Sequence, residues 1–284
     1  AAATAGGGKG GGPADVLSGL NFEDNFITSG DIGINSMNSM GNDAKSSSNP
    51  ILHPDIRASR VGSSGVLLKE ALGEGMEVRY AFLRQDSVYS KHYQVVELTF
   101  LSSVEVRDVS MQNIQVSGLE IRPMDRISVL HAHQSATAKV HVDYKGYERK
   151  IKFNICTTDR KYPVILKNTP GDLLRPHAMS VSSFESARKR MTGMQENTFK
   201  AKNFTDAKAA AIAVARAANF AVLACESGSD NLYRLSAQMR HDQTQLVLCR
   251  VEANSSGSVD VTINCDDMMF ISSLDEYLAN AIKN

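Results

Sequence analysis

The sequence predicts a β-sandwich followed by an α+β platform, both carried on a flexible N-terminal linker. Three observations carry that reading. The first 60 or so residues show no pattern that buries a core. Residues 66–167 alternate apolar and polar side chains with a period of two. After Pro170-Gly171, helical spacing is mixed with further alternation. The expected parts are a hinge at 1–60, a sandwich at 61–168 and a platform at 169–284.

The hinge opens with residues 1–12, almost wholly Ala and Gly, which have maximal backbone entropy and little to bury. Residues 29–50 are rich in Ser, Asn, Gly and Asp, and they end at Ser46-Ser47-Ser48-Asn49-Pro50. Between them lies an apolar and acidic island, Val16 to Ile27. It admits two readings: a short motif that docks into a partner's groove, or disordered sequence holding a few apolar residues. Ser63-Ser64-Gly65 reads as the last of the linker.

In the next block Glu77 to Phe82 alternates, and Val96, Leu98 and Phe100 share a face opposite Glu97 and Thr99. Ala138, Val140, Val142 and Tyr144 alternate with Lys139, His141 and Asp143. Ile151, Phe153 and Ile155 alternate with Lys150, Lys152 and Asn154. Strands with one apolar and one polar face belong to antiparallel sheets wetted on one side, so His141 is expected to face solvent. Tyr144-Lys145-Gly146-Tyr147 is a turn, with Gly146 free to take positive φ. No helical pattern interrupts the block, which reads as an immunoglobulin-like sandwich.

In the platform, Ser182-Ser183-Phe184-Glu185 has the form of a capping box, predicting a helix to about Met191 with Gly193 near its end. A second helix is predicted from Thr205-Asp206 to about Asn219. Phe220–Cys225 continues that helix or forms a strand. Strands follow at Asn231–Arg240, Gln245–Glu252 and Ser258–Cys265, with Asn254-Ser255-Ser256-Gly257 as a hairpin turn. Asp266-Asp267 is read as ending the last strand. Ser273-Leu274-Asp275-Glu276 is a second capping box, leading into a terminal helix.

Composition narrows the function. A net charge of +0 argues against a general nucleic-acid binder, whose affinity comes from neutralising phosphates. No apolar run approaches the roughly 18 residues of a membrane span, and no secretory leader is evident, so a soluble intracellular chain is expected. Cys156, Cys225, Cys249 and Cys265 form no Cys-x-x-Cys pair; their even number allows two disulfides, but they read as buried, reduced thiols. His131 and His133, two apart in sequence, are the one enzyme-like feature. They would need further ligands to hold a metal, and they read as exposed loop histidines. No nucleophile elbow or phosphate-cradling loop is present. Arg188-Lys189-Arg190 reads as the solvated face of a helix, and Met191 and Met194 as core filler. The remaining picture is a tethered module that recruits partners, with no cofactor.

Specific runs then resemble a known family. They are Phe153-Asn154-Ile155-Cys156-Thr157 with Tyr162-Pro163-Val164-Ile165-Leu166, and Pro170-Gly171-Asp172-Leu173-Leu174-Arg175-Pro176 with His177-Ala178-Met179-Ser180. Phe184, Thr192-Gly193-Met194-Gln195-Glu196 and Asn231-Leu232-Tyr233-Arg234-Leu235 complete the series. Over roughly residues 66–284 this pattern is similar to the hinge and C-terminal appendage ("ear") of the beta-3 adaptins, the beta subunits of adaptor protein complex 3. The motifs around Gly171 and Gly193 favour this family over the coatomer gamma appendage, the nearest alternative. A metal-dependent enzyme using His131/His133 is the alternative from another class.

The resemblance implies a non-catalytic appendage of a cytosolic vesicle coat, peripheral on Golgi or endosomal membranes, in protein transport towards lysosomes or vacuoles. It implies accessory trafficking proteins or peptides as partners at the appendage. Other adaptor subunits would be met through a trunk outside this chain. Leu17-Ser18-Gly19-Leu20-Asn21 departs at Ser18 and Asn21 from the family's clathrin motif, so direct clathrin binding is not expected. Related appendages grip peptides with a platform tryptophan and a tyrosine, whose places fall near Met179 and Ala213; this chain has no tryptophan. Met179, Phe184 and Arg216 are the residues expected to line a groove there, with Phe184 as the one best suited to the core instead.

Overall fold

The computed structural model describes residues 61–223, 231–255 and 257–282, all within one compact unit. The expected hinge, the island at Val16 to Ile27, Leu17–Asn21, Ser46–Ser48 and Cys225 lie outside the described residues.

Among the described residues nine strands build the sandwich: β1 (Val61–Leu68), β2 (Met76–Leu83), β3 (Gln94–Ser102), β4 (Val106–Gln115), β5 (Glu120–Arg122), β6 (Ile127–Leu130), β7 (Gln134–Asp143), β8 (Lys150–Cys156) and β9 (Lys161–Lys167). They pair antiparallel in a five-stranded sheet, β1-β2-β3-β7-β5, and a four-stranded sheet, β6-β4-β8-β9. The period-two patterns place Val78, Phe82, Val96, Leu98 and Phe100 inside from one sheet, and Ile151, Phe153, Ile155 and Leu166 from the other. Each such side chain, fully buried, contributes about 1.5–3 kcal/mol.

Two expectations for this part are corrected. Ser63-Ser64-Gly65 is not linker but the middle of β1, paired with β2. His141 is buried, not solvated. The segment between β2 and β3 folds over it, so that Ser87 Oγ lies 2.8 Å from His141 Nδ1 and the Tyr89 ring stands edge-on at 4.9 Å. Alternation identified the face of β7 correctly but not what covers it. Burial, and then the Lys139 charge, lowers the pKa of this imidazole.

A 3-10 turn at Pro170–Leu173 leads into the platform: β10 (Leu174–Pro176), α1 (Val181–Arg190), β11 (Glu196–Ala201), α2 (Ala207–Ala217), β12 (Ala221–Val222), β13 (Leu232–Met239), β14 (Leu246–Ala253), β15 (Val259–Cys265) and α3 (Met268–Ala281). The sheet runs β10-β13-β14-β15-β11, with β12 on β13, and is antiparallel throughout. The odd-numbered residues of β13, β14 and β15, among them Leu235, Cys249 and Ile263, pack with α2 and α3 into the main core. Its opposite face carries α1 over a smaller cluster of Phe184, Ala187, Met191, Leu223 and Leu248.

Both capping boxes are misplaced by sequence. The cap of α1 is Ser180, which accepts from Ser183 N, while Glu185 turns to Arg234 and Arg188. The cap of α3 is Asp267, which accepts from Met269 N and Phe270 N, so Ser273 lies inside the helix. A carboxylate directly before a helical run is the stronger N-terminal signal, since it accepts orphan amides and complements the dipole. Asp206 caps α2 in the same way.

The platform meets the sandwich through polar contacts, centred on the buried Asp172. Asp172 accepts from Ser63 N at 3.0 Å, Ser63 Oγ at 2.5 Å, Thr169 N at 2.9 Å and Thr169 Oγ1 at 2.7 Å. Arg84 donates to the carbonyls of Ala215 and Arg216, capping the C-terminus of α2 from the other part. Arg175 pairs with Asp86 at 2.8 Å. Gly146 takes φ +81° in its turn, and the His241 ring fills the place where a Cβ would stand. A Cβ on Gly171 would lie 2.6 Å from Ala217 O and 3.0 Å from Ala218 Cα, both backbone atoms. Gly171→Ala is therefore expected to cost about 1–3 kcal/mol through overpacking. Urea unfolding checks this; an unchanged midpoint would show that the junction yields freely.

Candidate interaction surface

The expected site residues fall in two places. Met179 lies half-buried in the segment between β10 and α1 and packs against the small cluster under α1. Phe184 is at the centre of that cluster, 0% exposed. It is a packing residue and presents nothing to a partner, so its place in a binding groove is corrected. Arg216 is exposed in the last turn of α2, on the other face of the sheet. The structure brings Met179 and Phe184 together and leaves Arg216 and Ala213 apart from them.

The surface around Met179 is built from α1 and the strand residues beside it. The pattern Val181-x-x-Phe184-x-x-Ala187 presents its apolar side to the sheet and leaves Ser182, Ser183, Ser186, Lys189 and Arg190 exposed. Beyond the helix the sheet is polar: Arg250 pairs with Glu252 at 2.7 Å, and Thr198 and Thr262 hydroxyls meet at 3.0 Å. Glu185 fastens the helix to this shelf, receiving Arg234 Nε at 2.7 Å and Arg188 Nε at 3.1 Å. Partial burial works to raise the Glu185 carboxyl, but hydrogen bonds and charge from Arg234 and Arg188 outweigh it and hold it below its ordinary value. Asn264 Nδ2 donates to Met191 O at 2.7 Å, pinning the far end. Met191 is buried as expected, whereas Met194 is 75% exposed. Arg188 is tied to Glu185, while Lys189 and Arg190 are solvated.

The histidine pair lies in the turn from β6 to β7. Both side chains are exposed, and His131 Nδ1 is 3.5 Å from Glu105. Among the described residues no group of three or more His, Cys, Asp or Glu side chains is placed to hold a metal. Cys156, Cys249 and Cys265 are buried free thiols; burial pushes Cys265 up to about 11 and Cys249 higher still. Among the described residues no helix is long and apolar enough to cross a membrane.

Sequence reasoning missed Asp172 and Arg84, the residues that join the two parts. Asp172 did stand in the conspicuous run Pro170-Gly171-Asp172-Leu173; Arg84 had no local signal at all.

Comparison with known proteins agrees with this architecture. The family model described as "AP-3 complex subunit beta-1, C-terminal domain" matches residues 171–282. A second model, for the C-terminal part of the "Clathrin-adaptor complex-3 beta-1 subunit", matches residues 32–147. The AP-3 complex subunit beta-1 of Mus musculus is 28% identical over 211 residues, covering 70% of this chain and 18% of that protein. The protein of the same description from Homo sapiens is 26% identical over 212 residues, covering 71% and 19%. The AP3-complex subunit beta-A of Arabidopsis thaliana is 28% identical over 146 residues, covering 44% and 15%. The chain thus spans less than a fifth of the length of these relatives. Among solved structures, the GAE domain of GGA2p from Saccharomyces cerevisiae overlaps 37% of this chain and 94% of its own, at 8% identity and a TM-score of 0.26, a likeness too slight to argue from. Two family models that leave only residues 148–170 between them, with relatives aligned over most of the same length, establish that the chain belongs to the beta-3 adaptin family, as a C-terminal appendage region of an AP-3 complex beta subunit.

Proposed function

We propose that the chain is a non-catalytic interaction appendage that recruits accessory proteins to an AP-3-type vesicle coat. The transport would run from Golgi or endosome towards lysosome or vacuole. In this reading the protein is peripheral on those membranes, and the other adaptor subunits are engaged by parts of the subunit outside this chain. Residues 1–60 serve as hinge, 61–168 as sandwich and 169–284 as platform. The observation that carries the reading is the match of both family models to a chain whose sandwich and platform are fastened by dedicated contacts. Met179 and the exposed side of α1 line the partner surface on the platform. Arg216 faces elsewhere.

Affinity capture from cytosol with the full chain, read by mass spectrometry, tests this. Trafficking accessory proteins are expected on the wild-type chain. Met179→Asp, and separately Lys189→Glu with Arg190→Glu, should reduce their recovery about fivefold or more, as for loss of an interface anchor. Arg216→Glu should leave it unchanged. Recovery of no trafficking protein would overturn the reading. So would stoichiometric metal in the purified chain together with turnover lost in His131→Ala.

A further inference from the structure

The outer face of the four-stranded sheet carries a row of four lysines, of which one is paired with a carboxylate among the described residues. In β8 and β9 the register sets Lys150 opposite Lys167, Lys152 opposite Ile165 and Asn154 opposite Pro163. All six project to the solvent side, because their neighbours Ile151, Phe153, Val164 and Leu166 are buried. With Lys161 at the start of β9, the two strands hold four lysines and no acidic residue. Lys167 has a partner in Glu148 at 3.3 Å. No acidic side chain pairs with Lys150, Lys152 or Lys161 among the described residues. Like charges set directly across a ladder cost stability, and only the Glu148 carboxylate offsets the Lys150–Lys167 juxtaposition.

Edge protection does not explain the row. β9 is an edge strand, and Lys161, Pro163 and Lys167 suit the common means of blunting one. Lys150 and Lys152, however, lie on β8, which is paired on both sides. The same face is also recessed. A bulge in β4 shifts its register against β8 between Gln112 and Gln115, with Asn113 at φ +52°, and bulges commonly re-aim side chains. A groove of about 390 Å³ results, lined among others by Asn113, Gln115, Lys152, Asn154, Pro163 and Ile165. Ile165, 55% exposed, is its apolar centre.

We propose that this groove binds an extended acidic peptide. Lys150, Lys152 and Lys161 would meet its carboxylates, and Asn113, Gln115 and Asn154 offer amide donors and acceptors to an extended backbone. Ile165 would seat one apolar side chain between the charges. A single exposed isoleucine flanked by amides suits a peptide better than a bilayer, whose uptake needs a broad apolar face. The proposal rests on the reading of the chain as an interaction module, and it concerns a surface separate from that of Met179.

The test uses the full chain and a short fluorescent peptide in which glutamate alternates with leucine, followed by anisotropy. Binding is expected to weaken as salt rises. Lys150→Glu with Lys152→Glu should lower affinity about tenfold or more, as for opposing charges at an interface. Ile165→Ser should lower it several-fold with the salt dependence kept. The lysine variant should melt close to the wild type, because both side chains are exposed and surface changes usually stay within about 0.5 kcal/mol, so lost binding cannot be ascribed to unfolding. Absence of binding, or binding indifferent to both lysines, overturns the proposal. Equal binding of the all-glutamate peptide overturns the role of Ile165. Vesicles of phosphatidylserine and phosphatidylcholine that pelleted the chain through these lysines, with no peptide bound, would replace the peptide with a membrane. Met179→Asp should leave peptide binding intact. Failure of the peptide with accessory-protein capture retained therefore removes this proposal alone, and the reverse result removes the platform reading alone.

Discussion

Phe184→Ala is expected to lower stability by about 3–5 kcal/mol, the usual cost of removing a large aromatic side chain from a packed site. The ring is fully buried, and its neighbours Ala187, Met191, Leu223 and Leu248 form a cluster separate from the main core. Few other side chains are there to close the space. α1 is held to the sheet by this cluster and by Glu185, so the loss should be felt across the whole α1 face. For a folded unit of this size each kcal/mol shifts the melting temperature by about 2–4 °C, so a fall on the order of 10 °C is expected in circular dichroism. Phe184→Leu, which keeps most of the volume, should cost much less. If Phe184→Ala instead melted with the wild type while accessory-protein capture was lost, Phe184 would be a partner contact after all.

Asp172→Ala is expected to cost about 3 kcal/mol. Its carboxylate receives four hydrogen bonds, two from Ser63 and two from Thr169, and bonds to a charged group contribute about 1.5–3 kcal/mol each when measured singly. Those measurements do not add, because the donors share one acceptor. The alanine variant leaves the Ser63 and Thr169 groups without an acceptor at the junction of β1 with the platform. Asp172→Asn is the informative companion. Its amide nitrogen would have to face an N–H or O–H donor at one of the two oxygen positions, so only part of the stability should return. Urea unfolding followed by two probes tests both variants. An alanine variant within about 0.5 kcal/mol of the wild type, the range of ordinary surface changes, would show that the clasp is dispensable.

The sandwich was legible in the sequence because its inward residues alternate without interruption: Val96, Leu98 and Phe100 are all fully buried. The three platform strands and the α2 cap at Asp206 were legible for similarly local reasons. What failed was whatever depended on a distant segment. Polarity placed His141 on the outer side of β7, but only the fold brings Ser87 and Tyr89 over it. Ser182 and Ser273 each fitted a capping box, yet Ser180 and Asp267 stand where the chain turns into helix, and Glu185 finds better partners in two arginines. Ser63 lay in a serine- and glycine-rich stretch that gave no hint of Asp172, 109 residues away. The site suffered most. The resemblance located a groove by two aromatic positions that this chain lacks, and with neither present nothing local could tell that Arg216 and Met179 occupy opposite faces of one sheet. Lys150 and Lys152 were visible as an alternation with Ile151 and Phe153, but the lysines of β9 beside them and the sparse counter-charge required the register.

The Arg84 contact with the end of α2 has a geometric consequence. A guanidinium rooted in the sandwich closes a platform helix, and Asp172 returns the grip from the platform to β1, so neither part can swivel without breaking these bonds. The groove by Ile165 and the shelf by Met179 are then two fixed points on one gauge. A partner with two binding segments gains from engaging both only if the chain between them spans that set interval. The appendage would in this way measure the spacing of motifs in whatever it gathers, as well as their chemistry.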